Sequence, residues 1–108
     1  MSDIMNVTVS ELAEDAVILD VREDYEWEAG HIAGALHIPL EQLPARLEEL
    51  DPDVDVNVIC RTGGRSFRAA TWLSENGYSA FNVIGGMGAW FEAEKPMTNE
   101  NGETPRVL

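Results

Sequence analysis

The segment Ile59-Cys60-Arg61-Thr62-Gly63-Gly64-Arg65-Ser66 gathers more reactive chemistry than any other stretch of the chain. It joins an apolar, strand-like run to a helix-like one. In an open parallel sheet, sites form outside the carboxyl ends of the strands, which is where Cys60 falls. Two adjacent glycines permit a tight turn whose N–H groups point inward as an anion-binding concavity. The helix that follows adds the partial positive charge of its N-terminus. Arg61, Arg65 and Arg68 place three of the chain's 7 basic residues within one eight-residue window. An ordinary cysteine titrates near pH ~8.5, and these surroundings favour the thiolate, which is the nucleophile. Cys60 is therefore the candidate catalytic residue. Arg61, Thr62, Gly63, Gly64 and Arg65 form the candidate loop for a substrate anion or for a group carried on the sulfur.

Loop length separates the anions. Cys60 to Arg65 is C-x4-R, whereas cysteine phosphatases use C-x5-R, a cradle one residue larger and fitted to tetrahedral phosphate. The tighter ring suits a single extra sulfur atom on the cysteine.

The elements that must hold this loop alternate between strand-like and helix-like. Ala16-Val17-Ile18-Leu19 is a continuous apolar run, as expected of a strand buried on both faces. Val54, Val56 and Val58 alternate with polar residues before Ile59 and Cys60. Residues 80–84 give a third strand and Leu36-His37-Ile38 a short fourth. Thr8 with Glu11 matches a capping box and predicts a helix to about Glu14. Further helices are expected over Asp24 to Ala29, closed by Gly30; over Ala45 to Leu50, after Pro44; over Gly64 to Asn76, with Ala69, Trp72 and Leu73 on one face; and over Met87 to Glu94. This alternation implies an α/β layered fold with a mainly parallel sheet. After Pro96 the composition turns polar, which predicts an extended or mobile tail over 97–108 beyond a domain of residues 5–96.

The 108 residues suffice for one domain with a small core, 44% of them apolar and 25% charged. Seven basic against 20 acidic residues give a net charge of −13, which argues against nucleic acid and anionic membrane as partners. No apolar run is long enough for a transmembrane helix. The opening Met1-Ser2-Asp3-Ile4-Met5-Asn6 lacks the layout of a signal peptide, so a reduced, cytoplasmic setting is expected. One cysteine can make neither an internal disulfide nor a zinc cluster, and two isolated histidines do not make a metal site.

Three stretches together resemble the rhodanese family of sulfurtransferases in its short, single-domain form. The loop Cys60 to Ser66 is similar to the family's active-site loop. Leu19-Asp20-Val21-Arg22 with Glu26 and Gly30-His31-Ile32-Ala33-Gly34-Ala35 resembles its first signature, and Gly85-Gly86-Met87-Gly88-Ala89-Trp90 its closing one. The resemblance departs at Ala33 and His37, where the family often has proline and asparagine. It implies a three-layer fold with a mainly parallel five-stranded sheet flanked by helices. It also implies a Cys60 persulfide, formed from thiosulfate or another persulfide donor and passed to a thiol or to cyanide, with no separate cofactor. Main-chain N–H groups of Arg61 to Arg65 would cradle that persulfide, Arg65 would close the loop, and Arg61 would help attract the anionic donor. Thioredoxin or another sulfur-relay protein is a candidate partner.

Other residues are expected to build rather than react. His31 and His37 each suit a hydrogen bond near a turn. Trp27, Trp72 and Trp90 suit helix–sheet packing. Asp20, at the end of a buried strand, needs a partner, either Arg22 or a loop N–H, and both residues are candidates for supporting roles at the site. Two other functions stay open on these residues: a sulfur- or redox-sensing or carrier module, and a phosphatase or arsenate reductase of the same fold.

Overall fold

The structure, a computed structural model, describes residues 4–108. Five strands, β1 (Met5–Val7), β2 (Val17–Asp20), β3 (Leu36–His37), β4 (Asp55–Ile59) and β5 (Ser79–Val83), form one sheet in the order β1-β5-β4-β2-β3. Every pairing is parallel, which puts the carboxyl ends of all five strands on one edge. The central strand, β4, is flanked by β2 and β5 and delivers Cys60 to the middle of that edge.

Side chains alternate across the sheet with the period of two that a pleated strand imposes. Leu19, Val56 and Val58 face one layer, where α2 (Gly64–Glu75) covers them with Ala69, Ala70 and Leu73. Ile18, Ile59 and Val83 face the other, where α3 (Gly86–Glu92) supplies Met87 and Trp90. The result is the expected α/β three-layer arrangement. The third helix, α1 (Asp24–Ala29), follows β2 directly. No helix among the described residues is long and apolar enough to cross a membrane.

Two expected helices take another form, one of them much shorter. The Thr8–Glu11 capping box does form, with the Glu11 carboxylate accepting the Thr8 N–H at 2.7 Å. It opens only a single 3₁₀ turn, Val9–Glu11, because Leu12 is already extended (φ −74°, ψ 126°) and packs against the second core as the chain turns toward β2. Pro44–Glu49 is 3₁₀ rather than α-helix and is kinked at Arg46 (φ −120°). Strand β1 escapes pattern reading because its three residues, Met5-Asn6-Val7, are too short a run to establish alternation.

The polar stretch after Pro96 lies along the domain. Thr98 and His31 exchange backbone hydrogen bonds of 2.8 and 2.9 Å, and the Arg106 N–H donates to the Ala29 carbonyl at 3.0 Å. Met97 and Val107 pack against the second core.

Candidate active site

The residue after β4 must leave the sheet and enter α2 within four positions, and Gly63 makes that turn at φ +126°, a region closed to most side chains. As N-cap of α2, Gly63 orients the free N–H groups of the helix's first turn toward Cys60. The Gly63 N–H donates to Cys60 Sγ at 3.1 Å, and the Ser66 hydroxyl lies 3.3 Å from the same sulfur. Burial, with Cys60 only 1% exposed, pushes the thiol up. The Ser66 hydroxyl and the N–H groups of Ser66, Gly63 and Thr62 outweigh that effect and hold it below its ordinary value. The cradle is thus built largely of uncharged donors. The sequence assigns thiolate stabilisation partly to arginines, and the structure reassigns it to Ser66 and three N–H groups.

The three arginines are held in separate places. Arg61 Nε donates to the Leu108 carbonyl at 2.9 Å. Arg65 forks the Glu26 carboxylate at 2.7 and 2.9 Å and so ties α2 to α1. Arg68, exposed on α2, borders a shallow cavity with Leu40, Pro44 and Trp72, away from the sulfur. Arg65 therefore ends the loop by bracing it across to α1.

A second glycine turn supports the loop from below. At Gly86 (φ +54°) a Cβ would collide with the carbonyl oxygens of Cys60 and Arg61. Those carbonyls accept the N–H groups of Met87 at 2.8 Å and Gly88 at 3.0 Å. The start of α3 is in this way clamped under the floor of the site, which explains the glycines of the closing signature.

Asp20 and Arg22 pair with each other. Arg22 Nε and Nη2 donate to the Asp20 carboxylate at 2.8 to 3.1 Å, and Nη2 also donates to the Gly30 carbonyl at 2.8 Å. Both side chains are buried, and their hydrogen bonds fix the turn from β2 into α1. Among described side-chain atoms, only Arg22 Nη1 is buried without a partner.

The histidines are engaged elsewhere. His31 Nδ1 donates to the Trp27 carbonyl and His37 Nε2 to the Arg22 carbonyl, each at 2.8 Å, and both rings stack on the Trp27 indole. Trp90 is buried, and its Nε1 donates to the Pro96 carbonyl. No group of three or more metal-ligating side chains occurs among the described residues. A cavity of about 570 Å³ lies beside the start of β2 between Leu12, Ile32, Trp90 and Lys95, and Cys60 does not line it.

Three residues joined to the loop by hydrogen bonds lie outside the expected binding set. Ser66 stands in the quoted loop, yet its role depends on the third position of the helix facing back to Cys60. Asn82, on β5, accepts the Ser66 hydroxyl at 2.6 Å and donates to Asn6 Oδ1 at 3.0 Å. Glu26 stands 39 positions before its partner Arg65, so only the folded chain joins them.

The sequence matches the rhodanese-like domain family over residues 7–93. It is 42% identical over 86 residues to the Bacillus subtilis protein YtwF, spanning 80% of this chain and 84% of the relative. An Allochromatium vinosum protein named sulfurtransferase is 36% identical over 90 residues, 82% of this chain and 84% of its own. The crystal structure of a rhodanese-related protein from Thermoplasma volcanium superposes with a TM-score of 0.84 at 33% identity, covering 89% of this chain and 99% of that one.

Proposed function

Because the chain belongs to the rhodanese-like domain family, we propose that it is a sulfurtransferase working through a persulfide on Cys60. The Cys60 thiolate attacks the outer sulfur of thiosulfate or of a persulfide donor. A new S–S bond forms, the donor's own bond to that sulfur breaks, and sulfite or a thiolate departs with the bonding electron pair. With thiosulfate, one thiolate and one dianion become one persulfide anion and one sulfite dianion. A thiolate or cyanide then attacks the outer sulfur and Cys60 leaves as thiolate, ready for another turn. No metal or organic cofactor is needed to balance either half, and the unpaired thiol suits a reducing, cytoplasmic setting.

The observation that carries this reading is the arrangement of donors around Sγ. The Gly63 N–H at 3.1 Å and the Ser66 hydroxyl at 3.3 Å favour the thiolate before transfer. The same ring of N–H groups suits the terminal sulfur anion after it. Loop size supports sulfur over phosphate, since six residues from Cys60 to Arg65 enclose less space than the seven of a phosphatase loop.

Intact mass after incubation with thiosulfate tests the proposal. The wild type should gain one sulfur, about 32 Da, removable by cyanide or dithiothreitol, whereas Cys60→Ser should gain nothing. No adduct from thiosulfate or from a persulfide donor would overturn the reading. Hydrolysis of an aryl phosphate would replace it with the phosphatase alternative.

A further inference from the structure

Glu26 is a buried carboxylate, 4% exposed, with no part in the two transfer steps above. Its Oε1 accepts the Glu23 N–H at 2.9 Å, and its two oxygens take the Arg65 guanidinium in a fork at 2.7 and 2.9 Å. That fork holds the carboxyl below the usual carboxylate range despite burial, with Arg22 adding a smaller pull in the same direction, so Glu26 is ionised at neutral pH. Arg65 ends the loop that begins at Cys60 and stands next to Ser66, whose hydroxyl lies 3.3 Å from Sγ. A carboxylate fixed on that guanidinium cancels most of its field at the sulfur. Arg22 is likewise paired, its Nη2 2.8 Å from the Asp20 carboxylate. The site therefore recognises anions mainly through backbone dipoles, inside a molecule whose net charge is −13.

We propose that Glu26 is a specificity-determining residue acting through Arg65: by neutralising the loop guanidinium it disfavours small dianionic sulfur donors and shifts preference toward persulfides and thiols of lower charge. This deepens the sulfurtransferase reading and rests on it for the word donor. The electrostatic part stands without it. Glu26 is a positioning residue, since it touches Arg65 and not the reacting sulfur. A mere brace and a charge neutraliser differ in sign. Loosening a brace weakens every substrate, whereas removing a neutraliser strengthens anion binding while leaving uncharged reagents alone.

The test compares wild type, Glu26→Gln, Glu26→Ala and the double variant Glu26→Gln with Arg65→Gln, each checked for folding by its melting temperature. The first readout is the ratio of Cys60 alkylation rates by iodoacetate, an anion, and iodoacetamide, which is neutral. This ratio needs no sulfur transfer. Loss of the Glu26 charge should raise it about fivefold at low ionic strength, the size of one unit charge acting across a partly solvated site, and added salt should shrink the gain. The double variant should return to the wild-type ratio. The second readout is the thiosulfate KM, which should fall in Glu26→Gln by at least the same factor, with little change in KM for a thiol acceptor. If Glu26→Gln fails to fold, Glu26→Ala removes the same charge with a smaller side chain. An unchanged or lowered alkylation ratio in a folded single variant overturns the proposal. If no variant takes up sulfur, the functional reading fails, and the alkylation ratio still decides the role of Glu26.

Discussion

The Ser66 hydroxyl has one hydrogen and three acceptors within reach: Asn82 Oδ1 at 2.6 Å, the Gly63 carbonyl at 3.2 Å and Cys60 Sγ at 3.3 Å. With a neutral thiol the amide oxygen is the better acceptor. Once the sulfur ionises, a charge-assisted bond to it competes, and the hydroxyl can turn toward the thiolate without moving the backbone. Ser66→Ala removes that donor but keeps the N–H groups of Thr62, Gly63 and residue 66. Losing a donor to the anion disfavours the anion, so the pH profile of iodoacetamide alkylation should move to higher pH. At neutral pH the rate should fall about fivefold, the weight of one hydrogen bond worth ~1 kcal/mol. An unmoved profile would mean that the backbone N–H groups hold the thiolate alone. Asn82 is the residue that keeps this hydroxyl in place, and its own amide is anchored on Asn6.

At the scale of elements, the site is a strand end with a glycine turn on each side, Gly63 into α2 and Gly86 into α3. A Cβ at Gly86 meets the carbonyls of Cys60 and Arg61, and both belong to the loop that must keep its shape. Gly86→Ala should therefore cost ~2 kcal/mol or more in urea unfolding and slow Cys60 alkylation, because the strained φ and the collision both act on the loop floor. Normal stability with normal alkylation would show that α3 can shift without disturbing the loop. Much of this architecture was legible in the chain. Val56, Val58 and Ile59 announce β4, the glycines mark the turn, and Ala69 and Leu73 mark the buried face of α2, since strands and helices write their periods into local sequence. What was not legible depends on distant partners. Arg65 reads as an anion receptor until Glu26 is seen on it. Three arginines in one window read as one positive site until the fold directs Arg61 to Leu108, Arg65 to Glu26 and Arg68 to a cavity lined by Leu40, Pro44 and Trp72. Strand β1 exists because β5 offers it a partner across 76 residues, as Met5 opposite Phe81 shows.

At the scale of the molecule, the segment after Pro96 joins the site to the second core. It passes under α1, where Arg106 bonds to Ala29, and reaches the loop, where Leu108 accepts Arg61. Gly30 records how closely it passes. Its φ of 171° is ordinary extended backbone that any residue adopts, so no turn requires glycine there. Space does, because a Cβ would lie 2.7 Å from the Arg106 carbonyl oxygen and from Met97 Cε. Removing residues 97–108 takes Met97 and Val107 off the second core and should cost about 2–3 kcal/mol, lowering Tm by roughly 10 °C or more for a domain of this size. Truncation alone cannot separate a docked strap from a general loss of mass, and Gly30→Ala can. In the full chain the added methyl must push the strap away, so the substitution should destabilise clearly. In the chain ending at Pro96 the three atoms nearest that methyl are gone, and alanine restricts the unfolded chain more than glycine does, so the same substitution should be neutral or slightly stabilising. Equal melting-temperature shifts in the two backgrounds would show that the strap does not press on Gly30 in solution. A shift confined to the full chain would show that it does, and would place the Arg61 anchor at Leu108 under the control of a contact at α1.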